Sequence, residues 1–583
     1  MVSSNCCRDA SGRHLLLAAI LVLLASGSAC AAGLTIVPAD ASIKTAGVKL
    51  AGQEGPEGGW NLWSNGEVGE LLYFAADGKY KVIVRAGGTP ARGAGPLMAI
   101  LVDGRQAATA TVNTRGFADY VFDVNIAAGT HRFTVAFLND AVVPDPKNPG
   151  NSLEDRNLFV GRLEIAAASG DRDPTLGKFE DWAREAAKRE EKTAADTVKL
   201  IERNRKGEAI VRVVGSDGKP ISNAKVSVDL LRHEFLFGCN IFGFDRFKTA
   251  AQNELYKQRF AELFNYATVG FYWRWYEPKP GQPDYPYTDK VVAWCMEHNI
   301  RMKGHPLLWD TEAGVPTWSK GQPAPELQKQ RITEIMRRYS GKITLWEVVN
   351  EPVFADGITI DQPYRWARGA DPKAQLIVND CYILGMAGYP PFFDLLAKAK
   401  ARNVPFDGIG IQGHDPVGMR FALENVREIL DHYATLDKAL YITEFTPTSG
   451  GQPIAGSHVT GKWDEKAQQE WAVKFYRVCF AQAAVKGITW WDLCEEGSWQ
   501  PGGGLLRKDL SSKPVYDALK KLIHEEWHTH VQGHTDADGK FAFRGFHGRY
   551  EVTVATDDKS AKARFDLSED QNGKTTTCAM SLP

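Results

Sequence analysis

The fold class this sequence predicts is multidomain: a (β/α)8 barrel, an N-terminal β-sandwich, and a small, discontinuous β-sandwich flanking the barrel. Three observations lead there. At 583 residues the chain is too long for one ordinary domain. Residues 233–525 alternate apolar strand-like runs with helical stretches, eight times over. The segments on either side carry short alternating runs punctuated by Gly, Asn and Asp, the period of half-buried strands.

The elements follow in chain order. Residues 1–31 read as a signal peptide. Arg8 and Arg13 precede an apolar run, Leu15 to Ala25, too short to span a bilayer, and Ala29-Cys30-Ala31 fits a small-x-small cleavage site. A secreted or periplasmic product is therefore expected. Cys30 offers lipid anchoring as an alternative, against which Gly27 stands where a lipobox places Leu or Val. No other stretch looks transmembrane. The six cysteines beyond the leader are scattered without a C-x-x-C pair, which argues against structural zinc; sequence leaves their disulfide state open.

Residues 34–168 read as a β-sandwich, from runs such as Tyr80–Val84 and His131–Phe137. Residues 170–206 turn rich in Glu, Lys, Arg and Ala, with Phe179, Trp182, Val198 and Ile201 as sparse apolar anchors, and predict a helical linker. Residues 207–232 and 526–583 are β-segments, each with an Asp-Gly-Lys turn and each too short to bury a core alone. Together they resemble the halves of a carboxypeptidase-regulatory-like sandwich with the barrel inserted between them. The alternative is two separate β-segments packed on the barrel.

Within 233–525 the strand candidates are 235–240, 266–271, 300–309, 344–351, 375–380, 407–414, 440–445 and 487–493, separated by helices such as 252–264, 324–340, 422–435 and 463–486. Several strands are continuous apolar runs, as burial on both faces requires. The competing fold, an open doubly wound sheet, expects a Gly-rich phosphate loop after its first strand, and none follows here.

Composition narrows the function. With 69 basic against 71 acidic residues and a net charge of −2, no excess is available to hold a polyanion, so nucleic acid is excluded as a partner. The 16 tryptophans suit the flat faces of sugars, although most tryptophans fill cores. In a barrel of this kind, chemistry gathers at the C-terminal ends of the strands. There the sequence places His305, Trp309 and Asp310 after the third strand, Asn350 and Glu351 after the fourth, Gln412 and His414 after the sixth, Glu444 on the seventh, and Trp491 and Trp499 on and beyond the eighth. Two carboxylates at the ends of strands four and seven are what glycoside hydrolysis requires: one protonates the leaving oxygen, the other attacks the anomeric carbon.

The motifs Gly304-His305…Trp309, Trp346…Val348-Val349-Asn350-Glu351-Pro352, Asn379-Asp380, Gly408–His414, Ile442-Thr443-Glu444 and Trp491…Ser498-Trp499 make residues 233–525 resemble glycoside hydrolase family 10, the xylanase family. The resemblance implies a retaining endo-β-1,4-xylanase without a catalytic cofactor. It assigns Glu351 as acid/base and Glu444 as nucleophile. Asn350 bonds the sugar 2-hydroxyl, and His414 holds the nucleophile ionised. Gln412 neighbours the pair, His305 and Trp309 wall the inner glycone subsite, and Trp491 and Trp499 roof it. One departure stands out. The family's Glu-Asn-x-x-Lys cluster at the end of strand two, which grips the next sugar out, is replaced by Phe271-Tyr272-Trp273-Arg274-Trp275, with Tyr272 or Arg274 as substitutes. The substrate is then xylan or another, more decorated β-glycan.

The N-terminal sandwich resembles calcium-dependent xylan-binding modules through Phe137–Asp140 and Asp155–Val160. The resemblance implies calcium held by Asp140 and Asp155, with Glu154 and Asn157 as lesser ligands. A monomer acting on a polysaccharide is expected. A non-catalytic glycan-binding surface protein is the reading from a different class, and it predicts loss of a carboxylate that is present here.

Overall fold

The computed structural model describes residues 34–582 apart from 51–55, 57, 75–77, 128, 149–150, 168–178, 356–357, 386–387, 415–416, 455, 460 and 570–574. The predicted leader lies outside the described residues. No helix among those described is long and apolar enough to cross a membrane.

The first unit is two antiparallel sheets face to face, one of six strands and one of five. Alternation puts Val82, Val84 and Ala86 of one sheet against Phe133, Val135 and Phe137 of the other, all buried in one core. Ala99, Leu101 and Ala136 on the second sheet's other face are buried as well.

The helix Phe179–Arg205 follows. Ile201 is one of its buried anchors, whereas Val198 is 62% exposed and anchors nothing, because it falls off the buried stripe. What pins the helix is charge: both oxygens of Glu190 accept from the Arg420 guanidinium at 2.8 Å, and Lys474 adds a contact at 2.5 Å. Burial opposes ionisation of Glu190, but these cations hold its carboxyl down at about 2.

The segments before and after the barrel are joined edge to edge. Strand Lys206–Val214 pairs with Lys540–Phe546 and with Thr576–Ser581, and Lys225–His233 lies between His530–His534 and Gly548–Ala555.

Between them, eight parallel strands close into a barrel: β1 (Leu236–Asn240), β2 (Tyr266–Gly270), β3 (Arg301–His305), β4 (Leu345–Asn350), β5 (Gln375–Asp380), β6 (Gly408–Ile411), β7 (Ala439–Phe445) and β8 (Val485–Trp490). β1 pairs β8, and β3 pairs β4, with a short continuation at Leu308–Trp309. The barrel interior is layered. At the bottom Leu236, Tyr266, Leu345, Ile377 and Tyr441 form an apolar plug. Two residues further along β4, β5 and β7 come Glu347, Asn379 and Thr443, all buried. The period of two that sends Leu345 inward also sends Glu347 inward. Gly304 of β3 is required by close approach, since a Cβ there would lie 2.2 Å from the Trp346 ring.

Candidate active site

A charge in the middle of a doubly buried strand must be paired. Glu347 is fully buried and is paired on both oxygens: Oε2 accepts from Lys303 Nζ at 2.9 Å, and Oε1 accepts from His305 Nδ1 at 2.8 Å. Burial opposes its ionisation, but His305 and Lys303 bring its carboxyl down to about 2. His305 itself is pushed toward the neutral form by burial. With Nδ1–H given to Glu347, its Nε2 accepts from the Tyr272 hydroxyl at 3.1 Å. Asn379 lies beside this group. Its amide donates at 3.2 Å to Glu347, at 3.0 Å to Asn350 Oδ1 and at 3.0 Å to Glu444 Oε1, while its own oxygen accepts from Thr443 at 2.5 Å. Gly410 on β6 makes room for it, since a Cβ there would fall 2.4 Å from Asn379 Oδ1.

Above this layer stand the two glutamates. Glu351 closes β4 with φ +51°, the left-handed region that costs a non-glycine residue roughly 1–3 kcal/mol. Its N–H donates to Asn379 O at 2.9 Å. Its carboxylate accepts from Gln412 Nε2 at 2.7 Å, Trp309 Nε1 at 3.0 Å and Asn350 Nδ2 at 3.4 Å. His414 Nε2 meets Gln412 Oε1 at 3.0 Å, and its ring stacks on Trp499 at 4.4 Å.

One small cavity, about 10 Å³, is lined by Tyr272, His305, Trp309, Asn350, Glu351, Gln412, His414, Glu444, Trp491 and Trp499. Of the ten residues singled out at the strand ends, all but Asp310 meet here, together with Tyr272. Arg274, the other substitute considered for the strand-two cluster, points instead to the rim and pairs with Glu312 at 3.0 Å. Asp310 turns toward Gln322 Nε2 at 3.2 Å. Lys303, Glu347 and the bridging role of Asn379 escaped the strand-end search. Their signal was present as three polar residues inside apolar runs.

The electrostatics differ from the expectation of a nucleophile held at low pKa. Burial pushes the Glu444 carboxyl up, to about 8; His414 and Lys303 pull against it, and the charges of Glu347 and Glu351 add to it. Burial outweighs the nearby cations. Ligand atoms of His305, Glu347 and Glu444 lie within 4.8 Å of one another, but Lys303 already supplies a cation to this group. The arrangement provides a hydrogen-bonded carboxyl and a second carboxyl facing one cavity, which is the equipment for two-step substitution at an acetal carbon.

In the N-terminal unit, Arg156 N–H donates to Ala141 O at 3.0 Å, which brings Asp155 to the same edge as Asp140. Asp155 Oδ2 accepts from Asn157 Nδ2 at 3.0 Å. Glu154 is turned away, its carboxylate taken by the Arg92 N–H at 2.6 Å. The six described cysteines are all free and buried.

Two regions of the chain match known protein families. Residues 81–175 match a Ca-dependent, xylan-binding carbohydrate-binding module family. Among curated proteins, the chain is 27% identical over 381 residues to "Endo-1,4-beta-xylanase 2" of Arabidopsis thaliana, covering 62% of this chain and 33% of that protein. It is 27% identical over 392 residues to "Anti-sigma-I factor RsgI6" of Acetivibrio thermocellus, covering 65% and 49%. The chain thus spans a third to a half of the length of these relatives. Among solved structures, native xylanase 10B from Thermotoga maritima is 26% identical, covering 50% of this chain and 96% of that one at a TM-score of 0.43. Residues 230–522 match glycosyl hydrolase family 10. Since that match takes in half of the sequence and the whole set of strand-end residues, the chain belongs to glycosyl hydrolase family 10.

Proposed function

We propose that this chain is an exported retaining glycosidase that hydrolyses the β-1,4-linked backbone of xylan. The observation that carries the reading is the pair Glu351 and Glu444 facing one cavity from the ends of β4 and β7, Glu444 hydrogen-bonded to Asn379 of the polar layer beneath and Glu351 to Gln412 beside it. In the first step a Glu444 oxygen bonds to the anomeric carbon. The bond from that carbon to the bridging oxygen breaks, and Glu351 gives its proton to the departing oxygen. In the second, Glu351 takes a proton from water, the water oxygen bonds to the anomeric carbon, and Glu444 is released. Gln412 and Trp309 aim the Glu351 carboxyl; Asn379 aims Glu444. The indoles of Trp491 and Trp499 offer faces for the sugar ring.

The N-terminal unit serves as the polymer-binding module. Asp140 and Asp155 fit a calcium site as two hard carboxylate donors at one strand edge, and a bound calcium would supply direct contacts to sugar hydroxyls. Export rests on the leader motif and is checked by the N-terminal sequence of the mature product.

Product analysis on xylan, arabinoxylan, glucuronoxylan, β-glucan and mannan tests the reading. Xylose-based products are expected, with Glu444→Ala lowering the rate ~10⁴-fold or more and Glu351→Ala ~10²–10⁴-fold. Turnover of another glycan in place of xylan would keep the two glutamates and discard the substrate. No turnover of any would favour a binding protein.

A further inference from the structure

The helix Phe179–Arg205 lies outside residues 230–522, yet it is built into the barrel. Ala186, Glu190, Thr193, Thr197, Ile201 and Arg205 recur at the spacing of one helix face, and all are buried. An apolar stripe would suffice to hold a helix there, but most of this one is polar. At its lower end Arg205 donates to the carbonyl of Val485, which opens β8, at 2.7 Å, and Asn204 donates to Ala481 O at 2.8 Å. Further up, Arg189 pairs with Glu424 at 3.1 Å, at the start of the helix Leu423–Ala434. The helix therefore runs down the outside of the barrel, with Glu190 at the level of the loops that follow the strands.

Two of those loops meet at Glu190. The Arg420 guanidinium, in the loop after β6, donates to both Glu190 oxygens at 2.8 Å, and its Nη1 also reaches Ser457 Oγ, in the loop after β7, at 3.0 Å. Trp463 Nε1 of the second loop donates to Gly418 O of the first at 2.7 Å. Gly456 packs so closely on the first loop that a Cβ would fall 2.9 Å from Met419 Cγ. The loop after β7 also grips the segment beyond β8: Thr448 Oγ1 donates to Pro501 O at 2.8 Å, and Ser449 N–H to Gly502 O at 3.0 Å. Gln412 and His414, Glu444, and Trp499 belong to these three connections in turn, and all of them line the cavity. The rim from β6 to β8 is thus one knitted arc, and a carboxylate from outside the barrel braces it. Lys474 reaches the same carboxylate at 2.5 Å from the helix Glu465–Ala481, and His458 Nε2 stands 3.9 Å away.

A buried ion pair adds little net stability over apolar contact, but a bidentate one fixes direction. Resting on the glycosidase reading above, we infer that Glu190 is a positioning residue for the active site. Through Arg420 and Ser457 it sets the arc that receives the sugars beyond the reacting one. The two glutamates themselves are held from the barrel, by Asn379 and Gln412, so the arc bears on polymer binding more than on the chemical step.

The experiment compares the full chain with Glu190→Gln, Ser457→Ala and Lys474→Met, by initial rates on xylohexaose and by hydrogen exchange of the Gly451, Ile454 and Trp463 amides, which are bonded within the loop after β7. Glu190→Gln should raise KM about tenfold and Ser457→Ala about threefold, with kcat within about twofold of wild type in both. Both should speed exchange of the three amides. Lys474→Met removes a cation from the same carboxylate without touching either loop, and should change neither KM nor exchange. Should Glu190→Gln not fold, Ser457→Ala against Lys474→Met still decides. Wild-type KM and exchange in Ser457→Ala, or a rise in KM in Lys474→Met equal to that in Glu190→Gln, would overturn the proposal and leave the glycosidase reading standing. A wild-type chain inert on xylohexaose would sink the glycosidase reading; equal exchange in all four proteins would then overturn the bracing as well.

Discussion

Two of the buried ion pairs among the described residues do different work. In the N-terminal sandwich the Arg132 guanidinium is bonded to Glu67, and Thr134 adds a bond to the same carboxylate at 2.7 Å. These contacts tie two adjacent strands, Gly66–Phe74 and Gly129–Phe137. In the barrel, Lys303 and Glu347 are equally hidden, but their neighbours continue upward. His305 leads to Tyr272, and Asn379 leads to Glu444. The difference is one of connection, since the energetic problem of burying the charges is the same in both places. The barrel pair bears on both the position and the charge state of Glu444, while the sandwich pair joins strands.

The largest expected effect separates the two directly. Glu347→Ala strands the Lys303 ammonium in the barrel and should cost about 3–5 kcal/mol in the barrel's unfolding transition, with loss of activity as Asn379 and His305 lose their anchor. Glu67→Ala should destabilise the sandwich by a comparable amount while leaving kcat/KM on an aryl xyloside unchanged. Equal losses of activity in both variants, measured in the temperature range where both stay folded, would show that the contrast is wrong.

pH sharpens the comparison at a smaller scale. Glu347 has its folded pKa lowered, so its stabilising contribution is present above the ordinary carboxylate range and is lost as pH falls toward about 2. Glu444 has its folded pKa raised, so its contribution is complete below that range and is lost as pH rises through about 8. Glu444→Gln, a permanent mimic of the protonated acid, should therefore melt at a higher temperature than wild type near about pH 9 and at nearly the same one near about pH 5. The acid limb of kcat/KM should lie above the ordinary carboxylate range, as a property of the coupled carboxyl groups rather than of one. An acid limb within that range, together with parallel melting curves, would mean that the site holds its nucleophile ionised after all.

The smallest effect concerns the sandwich alone. Chelating calcium should weaken retention of the full chain on insoluble xylan and leave aryl xyloside hydrolysis unaltered. Loss of both together would tie the metal to the barrel.

How much of this was legible in the sequence varies by layer. The strand ends were readable because an apolar run that stops at His305, Glu351 or Glu444 announces both a strand and a polar rim. The polar layer beneath was harder to read. Glu347 and Asn379 look like interruptions of an apolar strand until the inward period of two is counted from Leu345 and Ile377. The charge state of Glu444 could not be read at all, because it depends on how deeply the carboxyl is buried and which charges stand around it, and both are set by strands far apart in the chain. Tyr272 was a substitution without a role until its hydroxyl was found against His305.

The pairing of strands across the barrel has a consequence for how the chain comes to be folded. Glu208 and Arg544 meet although 336 residues separate them, and their strands cannot join before residues 540–546 have left the ribosome. The strand Lys206–Val214 is thus made early and completed late. Through the whole synthesis of the barrel it presents an unpaired, apolar edge, the state in which a strand is open to pairing with the wrong chain. The final segment acts as a clasp, and truncating it should show itself as aggregation during expression before any defect of the barrel is seen.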